Sequence, residues 1–124
     1  MRPYSDTLLD YFHHPRNAGE IEQPTAVVEA ANPVCGDTLK LWAKAQDGIL
    51  VQVRFKAAGC VPALACGSWL AERLETKRVS DLSPLAPAEF EEALGGLPQA
   101  SHHAAVLAAE VMHRLLEALA KAAQ

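Results

Sequence analysis

The ten residues Ala57-Ala58-Gly59-Cys60-Val61-Pro62-Ala63-Leu64-Ala65-Cys66 mark a change from strand to helix in this chain of 124 residues. An alternating strand pattern ends at Gly59, and Pro62 suits the first turn of a helix, where its missing N–H is not needed. Cys60 is therefore predicted to lie between the two elements, beside unpaired N–H groups and the positive end of a helix dipole. That position favours the thiolate, which is the form that binds metal or carries sulfur.

The residues before this stretch predict a β-hairpin. Apolar and polar residues alternate from Thr38 to Ala45 and again from Ile49 to Ala57, with a turn at Gln46-Asp47-Gly48. On the apolar face of the second strand we expect Ile49, Val51, Val53, Phe55 and Ala57. A shorter strand near Thr25 to Ala31 leads into the loop Asn32 to Asp37. Antiparallel pairing then brings Cys35 and Cys60 to the same end of the sheet.

Helices are predicted on either side of these strands. The first is a short helix that is capped by Ser5 and ends before Pro15. The second runs from Pro62 to about Lys77, and its apolar stripe consists of Ala63, Cys66, Leu70 and Leu74. A short helix then begins at Pro87 and ends at Gly95-Gly96, and a long last helix is capped by Ser101. The expected fold is α+β: a small antiparallel sheet of about three strands with helices packed on one face, in a single domain over residues 1–124.

Composition and charge exclude several classes of function. Half of the residues are hydrophobic and the formal net charge is −4, so there is no basic patch for nucleic acid. The first residues turn polar too soon for a signal peptide, and no apolar run approaches the roughly 20 residues that span a bilayer. We therefore expect a cytoplasmic protein that neither binds nucleic acid nor enters a membrane, with its three cysteines reduced.

Four side chains converge on the predicted site. Asp37 follows Cys35 by two positions, Cys60 comes from the second loop, and His102 or His103 lies in the first turn of the last helix. The helix dipole disfavours imidazolium there, so that ring is expected to be neutral and free to ligate. Two thiolates, an imidazole and a carboxylate form a reasonable tetrahedral site for zinc or iron, although the chain contains no C-x-x-C pair.

The sequence resembles the iron–sulfur cluster scaffold family typified by IscU and the N-terminal domain of NifU. The resemblance rests on the following segments, in order along nearly the whole chain: Tyr4-Ser5, Pro15-Arg16-Asn17-Ala18-Gly19, Cys35-Gly36-Asp37, Phe55-Lys56-Ala57-Ala58-Gly59-Cys60, Leu97-Pro98 and His103. It implies the fold of those proteins, and it selects His103 over His102 as the ligand.

The resemblance also implies a function. A cysteine desulfurase would deliver sulfur, iron would join it, and a transient [2Fe–2S] cluster would form on the cysteines and pass to apo-proteins. Asp37 matches the aspartate that is associated with keeping the cluster labile. Members of the family also bind Zn²⁺ at the same residues. Such a protein is a carrier rather than an enzyme, and it acts as a monomer or a homodimer.

Two positions depart from the family pattern. Ala104 stands where the family usually has a third ligand cysteine, and Gln99-Ala100-Ser101 replaces the proline-valine-lysine stretch that docks an Hsp70-type chaperone. One hypothesis is that Cys66, after a local rearrangement, replaces the missing cysteine as ligand or sulfur acceptor. The sulfur-accepting candidates are then Cys60, Cys35 and Cys66.

Less specific interpretations compete with these assignments. Cys66 lies on an apolar stripe and is as well explained as a core residue. His103 could be a solvated residue of the first helical turn, with His102 a bystander. Two alternative functions remain: a zinc-bound sulfur acceptor that activates a desulfurase, and a metal-binding interaction module without scaffold activity.

Overall fold

A computed structural model describes residues 3–123. Its helices and strands follow the order α1 (Asp6–His13), β1 (Ala26–Ala31), β2 (Thr38–Gln46), β3 (Ile49–Ala58), α2 (Val61–Leu74), α3 (Pro87–Ala93) and α4 (His102–Ala122), with short 3-10 turns at Val79–Asp81 and Gln99–Ser101. The three strands form one antiparallel sheet in the order β1-β2-β3. The predicted α+β architecture is confirmed.

The helices α2 and α4 cover one face of this sheet and enclose the core. Inward-facing residues of β2 and β3 meet the apolar stripes of these helices, and the larger fully buried side chains include Leu39, Leu41, Leu50, Val53, Leu70, Met112 and Leu115. Gly67 lets α2 lie close to the sheet, because a Cβ there would come within 2.7 Å of the Phe55 ring. This close packing fixes the start of α2 relative to the end of β3.

The side-chain alternation of β3 differs from the prediction in its first half. Leu50 is fully buried, whereas Val51 is 43% exposed. The cause is a bulge: Lys44 of β2 pairs with Gln52 and its neighbour Ala45 pairs with Leu50, so Val51 is an extra residue in β3. The assignment of Ile49 and Val51 to the core face is therefore wrong, while Val53 and Phe55 are buried as expected.

Two helix ends also differ from the prediction. The helix α2 ends at Leu74 rather than near Lys77, because the chain there pairs with β3: Thr76 N–H donates to Leu50 O, and Leu50 N–H donates to Lys77 O. Ser5 caps α1 as predicted, accepting from the N–H of Leu8 at 3.0 Å. Ser101 precedes α4, but its hydroxyl forms no capping bond and the preceding 3-10 turn leads into the helix instead.

Both edges of the sheet are engaged by other parts of the chain. Phe55 of β3 exchanges backbone hydrogen bonds with Asn17 and Gly19. On the opposite edge, the guanidinium of Arg114 donates to the carbonyl oxygen of Glu29 in β1 at 2.6 Å. Among residues 3–123, none of the helices combines the length and apolar character needed to cross a bilayer.

Candidate metal centre

The two cysteine loops meet at one end of the sheet, as the hairpin predicted. Thr38, the first residue of β2, pairs with Ala58, the last residue of β3. Cys35 and Asp37 precede this pair, and Cys60 follows it after Gly59 as the residue before α2. His103 reaches the same place from the first turn of α4. Three separate segments of the chain thus contribute to one site.

Asp37 lies at the centre of this site and is 5% exposed. Its Oδ2 accepts a hydrogen bond from Cys60 Sγ at 3.1 Å and lies 3.3 Å from His103 Nε2. Burial opposes ionisation of the Asp37 carboxyl group, but the pKa of Asp37 still lies below its ordinary value. It is lowered by hydrogen bonds from the Cys60 thiol, the Cys35 thiol and the Cys60 backbone N–H, and by the nearby His103. Asp37 is therefore an anionic acceptor between the two thiols.

Three of the four predicted ligands have donor atoms close enough to share one ion. Those of Cys35, Asp37 and His103 all lie within 4.8 Å of one another. Cys60 Sγ joins them through Asp37 and lies 3.8 Å from His103 Nε2. Two thiols, one imidazole and one carboxylate are a donor set that suits tetrahedral zinc or iron. The structure thus groups the donor atoms of three predicted ligands and places Cys60 Sγ beside two of them.

Exposure differs sharply within the set. Cys35 is exposed, Cys60 is half-buried and the side chain of His103 is 33% exposed. An open groove of ≈ 260 Å³ between β1 and α4 also reaches His103. A metal ion bound here would be approachable from the Cys35 side, while Asp37 supports it from beneath.

Gly59 is a functional residue whose role the sequence analysis missed. Its φ of +133° favours glycine, and a Cβ at this position would lie 2.1 Å from Asp37 Oδ1. The carboxylate of Asp37 therefore occupies the space that any side chain at residue 59 would fill. The signal in the sequence was a glycine directly before a cysteine at a strand-to-helix junction.

The expected thiolate preference of Cys60 is wrong for the metal-free protein. Burial and the hydrogen bond to anionic Asp37 raise the pKa of Cys60 to about 11. The N–H of Ala63 in the first turn of α2 acts in the opposite direction but does not outweigh them. The helix does start directly after Cys60, but burial of the thiol and the neighbouring Asp37 carboxylate outweigh its effect and favour the protonated thiol.

Cys66 lies in the core and is not among the residues whose donor atoms cluster at the site. It is fully buried on the α2 stripe with Ala63, Leu70 and Leu74, and burial raises its pKa to about 12. Ala104, where the resemblance led us to expect a cysteine, is 1% exposed. For Cys66 to bind a metal with the other donors, the first turns of α2 would have to move.

His102 is engaged elsewhere. Its Nδ1 contacts the Glu91 carboxylate of α3, and more than half of its side chain is exposed. The ring of His103, one residue later, points towards Asp37 and Cys60. The geometry thus favours the same histidine that the resemblance selected.

Comparisons with known proteins agree with this fold and identify the family of the chain. The NifU-like N terminal domain family matches residues 3–123. The chain is 35% identical over 113 residues to an iron-sulfur cluster assembly scaffold protein IscU of Archaeoglobus fulgidus, covering 91% of this chain and 74% of that protein. It is also 35% identical over 112 residues to the IscU scaffold protein of Aquifex aeolicus, covering 89% of this chain and 71% of that one.

A solved structure shows the same fold. The N-terminal NifU-like protein from Brucella abortus matches with a TM-score of 0.76 over 96% of this chain and 95% of that chain, at 17% sequence identity. At that identity the likeness concerns the fold alone, but the sequence matches above cover nearly all of the chain. The chain therefore belongs to the NifU-like N terminal domain family, among the relatives of the IscU iron–sulfur cluster assembly scaffold proteins.

Proposed function

We propose that this protein is a scaffold on which an iron–sulfur cluster is assembled and from which it is transferred. Cys35, Asp37, Cys60 and His103 would bind the iron, or zinc in its place. The observation that carries this proposal is the meeting of four potential metal-binding side chains, from three separate segments of the chain, at one open end of the sheet. The names of the similar proteins support the same conclusion.

The donor set suits transient rather than permanent binding. Thiolates bind iron strongly, while a carboxylate is a harder and weaker partner for iron–sulfur chemistry. Asp37 holds the thiols as hydrogen-bond donors in the metal-free form, so loading requires that the thiol protons leave. The exposed Cys35 side gives the cargo, a [2Fe–2S] cluster, a route to an apo-protein.

Sulfur would come from a cysteine desulfurase that carries it as a persulfide. A scaffold thiolate attacks the outer sulfur of that persulfide, a new S–S bond forms on the scaffold, and the desulfurase cysteine leaves as a thiolate. Cys35 is the most exposed of the three candidates, Cys60 is half-buried, and Cys66 would first have to leave the core. Exposure therefore favours Cys35 as the first acceptor.

The remaining parts of the proposal follow from this role. The partners would be the desulfurase and apo iron–sulfur proteins in the cytoplasm, with the scaffold as a monomer or a homodimer. The protein would carry its cargo without catalysing the chemistry, since thiols, carboxylate and imidazole here act as ligands to the metal.

Anaerobic reconstitution with ferrous iron, cysteine and a desulfurase tests the proposal. We expect visible cluster absorption and acid-labile sulfide in the wild type, strong loss of both in Cys35→Ala and Cys60→Ala, and retention in Cys66→Ala. The Archaeoglobus fulgidus relative, treated in parallel, controls for the reagents. If that relative loads a cluster and this chain gains neither absorption nor sulfide, the scaffold proposal fails.

A second candidate is a zinc-bound sulfur acceptor that activates the desulfurase. It is favoured by the four-donor set with only two accessible thiols, which satisfies one tetrahedral zinc ion. The same reconstitution separates the two functions. Persulfide on the protein with faster desulfurase turnover but no cluster supports the second candidate. Metal binding without either supports a metal-binding interaction module.

A further inference from the structure

Asn32 closes the loop that presents Cys35. This residue follows the last pair of β1 and β2, and its backbone N–H donates to Asp37 O at 2.8 Å. Its own carbonyl accepts from the N–H of Gly36 at 2.8 Å. The backbone of one residue therefore joins both sides of the loop of residues 32–37.

The side chain of Asn32 forms a second set of bonds inside the loop. Its Oδ1 accepts from the N–H of Val34 at 2.9 Å and from the N–H of Cys35 at 3.4 Å. Pro33 has no N–H to donate, so these two groups are the donors that follow Asn32 directly. The amide oxygen thus binds the backbone of the metal-ligand cysteine itself.

Little packing holds this loop apart from those bonds. Val34 is 94% exposed and Cys35 is exposed. Gly36 has a φ of +78°, and a Cβ added there would meet no atom within 4 Å. A glycine in open space allows the backbone to take other conformations, so the local hydrogen bonds have to fix the direction of Cys35.

We propose that Asn32 is a positioning residue of the metal centre, whose side-chain oxygen holds the Cys35 loop so that the thiol faces Asp37 and His103. This inference rests on the proposed function in one respect, namely that metal binds at Cys35. Asn32 does not touch the metal; it reduces the number of loop conformations that binding would otherwise have to exclude.

The test compares Asn32→Ala with Asn32→Asp and Asn32→Ser, which keep a side-chain oxygen acceptor. Loss of two hydrogen bonds predicts Zn²⁺ affinity about tenfold weaker in Asn32→Ala, with most of the affinity restored by the acceptor variants. Co²⁺ bound to Asn32→Ala would show weaker thiolate-to-metal absorption. Because serine is uncharged, recovery of Zn²⁺ affinity in Asn32→Ser would show that the hydrogen-bond acceptor matters, and not the negative charge that aspartate adds.

A metal-free measurement keeps this inference separate from the proposed function. In Asn32→Ala, the Cys35 thiol is expected to move away from Asp37, and the backbone N–H of Val34 loses its acceptor. Amide hydrogen exchange at Val34 should therefore become several-fold faster, and Asn32→Ser should restore the slower rate. Wild-type protein that binds neither zinc nor iron overturns the proposed function. Unchanged exchange at Val34, or unchanged Zn²⁺ affinity in Asn32→Ala when the wild type binds, overturns the inference.

Discussion

The two cysteine loops hold their thiols by different means. Cys60 is half-buried where β3 meets α2, and its neighbour Gly59 packs directly against the Asp37 carboxylate. Cys35 is exposed in a loop that is bonded mainly to itself through Asn32. One half of the centre is thus fixed by the packing of the fold, and the other by a few local hydrogen bonds. Cargo is expected to enter and leave on the second side.

The largest expected difference between the loops is in thiol reactivity. With a pKa of about 11, Cys60 is a thiolate to only about one part in a thousand at pH 8. Its alkylation rate in the metal-free protein should therefore rise about tenfold for each pH unit up to about pH 10, and Cys35 should be modified first. Peptide mass spectrometry after timed alkylation measures both. A Cys60 rate that levels off below pH 9 would contradict the assignment.

Replacing the glycine of each cysteine loop by alanine compares how strongly the two loops depend on their backbone conformation. In Gly59→Ala, the new Cβ displaces Asp37, so we expect metal affinity to fall about a hundredfold and stability to fall by about 2–4 kcal/mol. Gly36→Ala is the matched control, because its φ is also positive but no atom lies within 4 Å; it should cost only about 1–2 kcal/mol of backbone strain. Zn²⁺ competition titration and denaturant unfolding measure the two effects. Equal losses of affinity in both variants would mean that Asp37 is not the cause.

His103 contacts both cysteine loops, through Asp37 and Cys60, and the adjacent His102 provides a control. Since even the indirect partners of metal ligands contribute about 10–100-fold to affinity, His103→Ala should weaken Zn²⁺ binding by at least about tenfold. His102→Ala breaks only the exposed contact with Glu91, so affinity should stay within about twofold of wild type. The same competition titration decides between them. A larger effect of His102→Ala would reverse the assignment.

The smallest expected effect on metal binding is that of Cys66. As a fully buried residue on α2, Cys66→Ala should lower stability by about 1 kcal/mol while leaving Zn²⁺ affinity unchanged. Thermal unfolding and the Zn²⁺ titration on the same sample measure both quantities. A drop in affinity to match that of Cys60→Ala would instead show that α2 opens and that Cys66 joins the ligands.

The general layout of this site could be predicted from the sequence because it depends on regular patterns. Alternation in the hairpin and the proline at the start of α2 were enough to place Cys35 and Cys60 at one end of the sheet. The bulge at Val51 could not be predicted in this way, because the extra residue is itself apolar and does not mark its position in the sequence. The early end of α2 depends on backbone pairing with Leu50, which is a tertiary contact.

The chemistry of the site was less predictable than its position. The helix dipole suggested a reactive Cys60, but burial of the thiol and its hydrogen bond to Asp37, a carboxylate that is itself buried, raise the pKa of Cys60 instead. The burial of Asp37 in turn requires the absence of a side chain at Gly59. Such effects depend on distances of a few ångströms between residues remote in sequence, and no local pattern encodes them.

The covered sheet edges have a consequence for association with other chains. Three-stranded sheets risk pairing edge to edge with their own copies, which leads to aggregation. Here the β3 edge is hydrogen-bonded to Asn17 and Gly19 at Phe55, and to residues 76 and 77 at Leu50. On the β1 edge, the charged side chain of Arg114 donates a hydrogen bond to the carbonyl oxygen of Glu29. These contacts disfavour strand addition along both sides of the sheet. A partner that docks at the open end near Cys35 would therefore not have to compete with strand addition at the edges of the sheet.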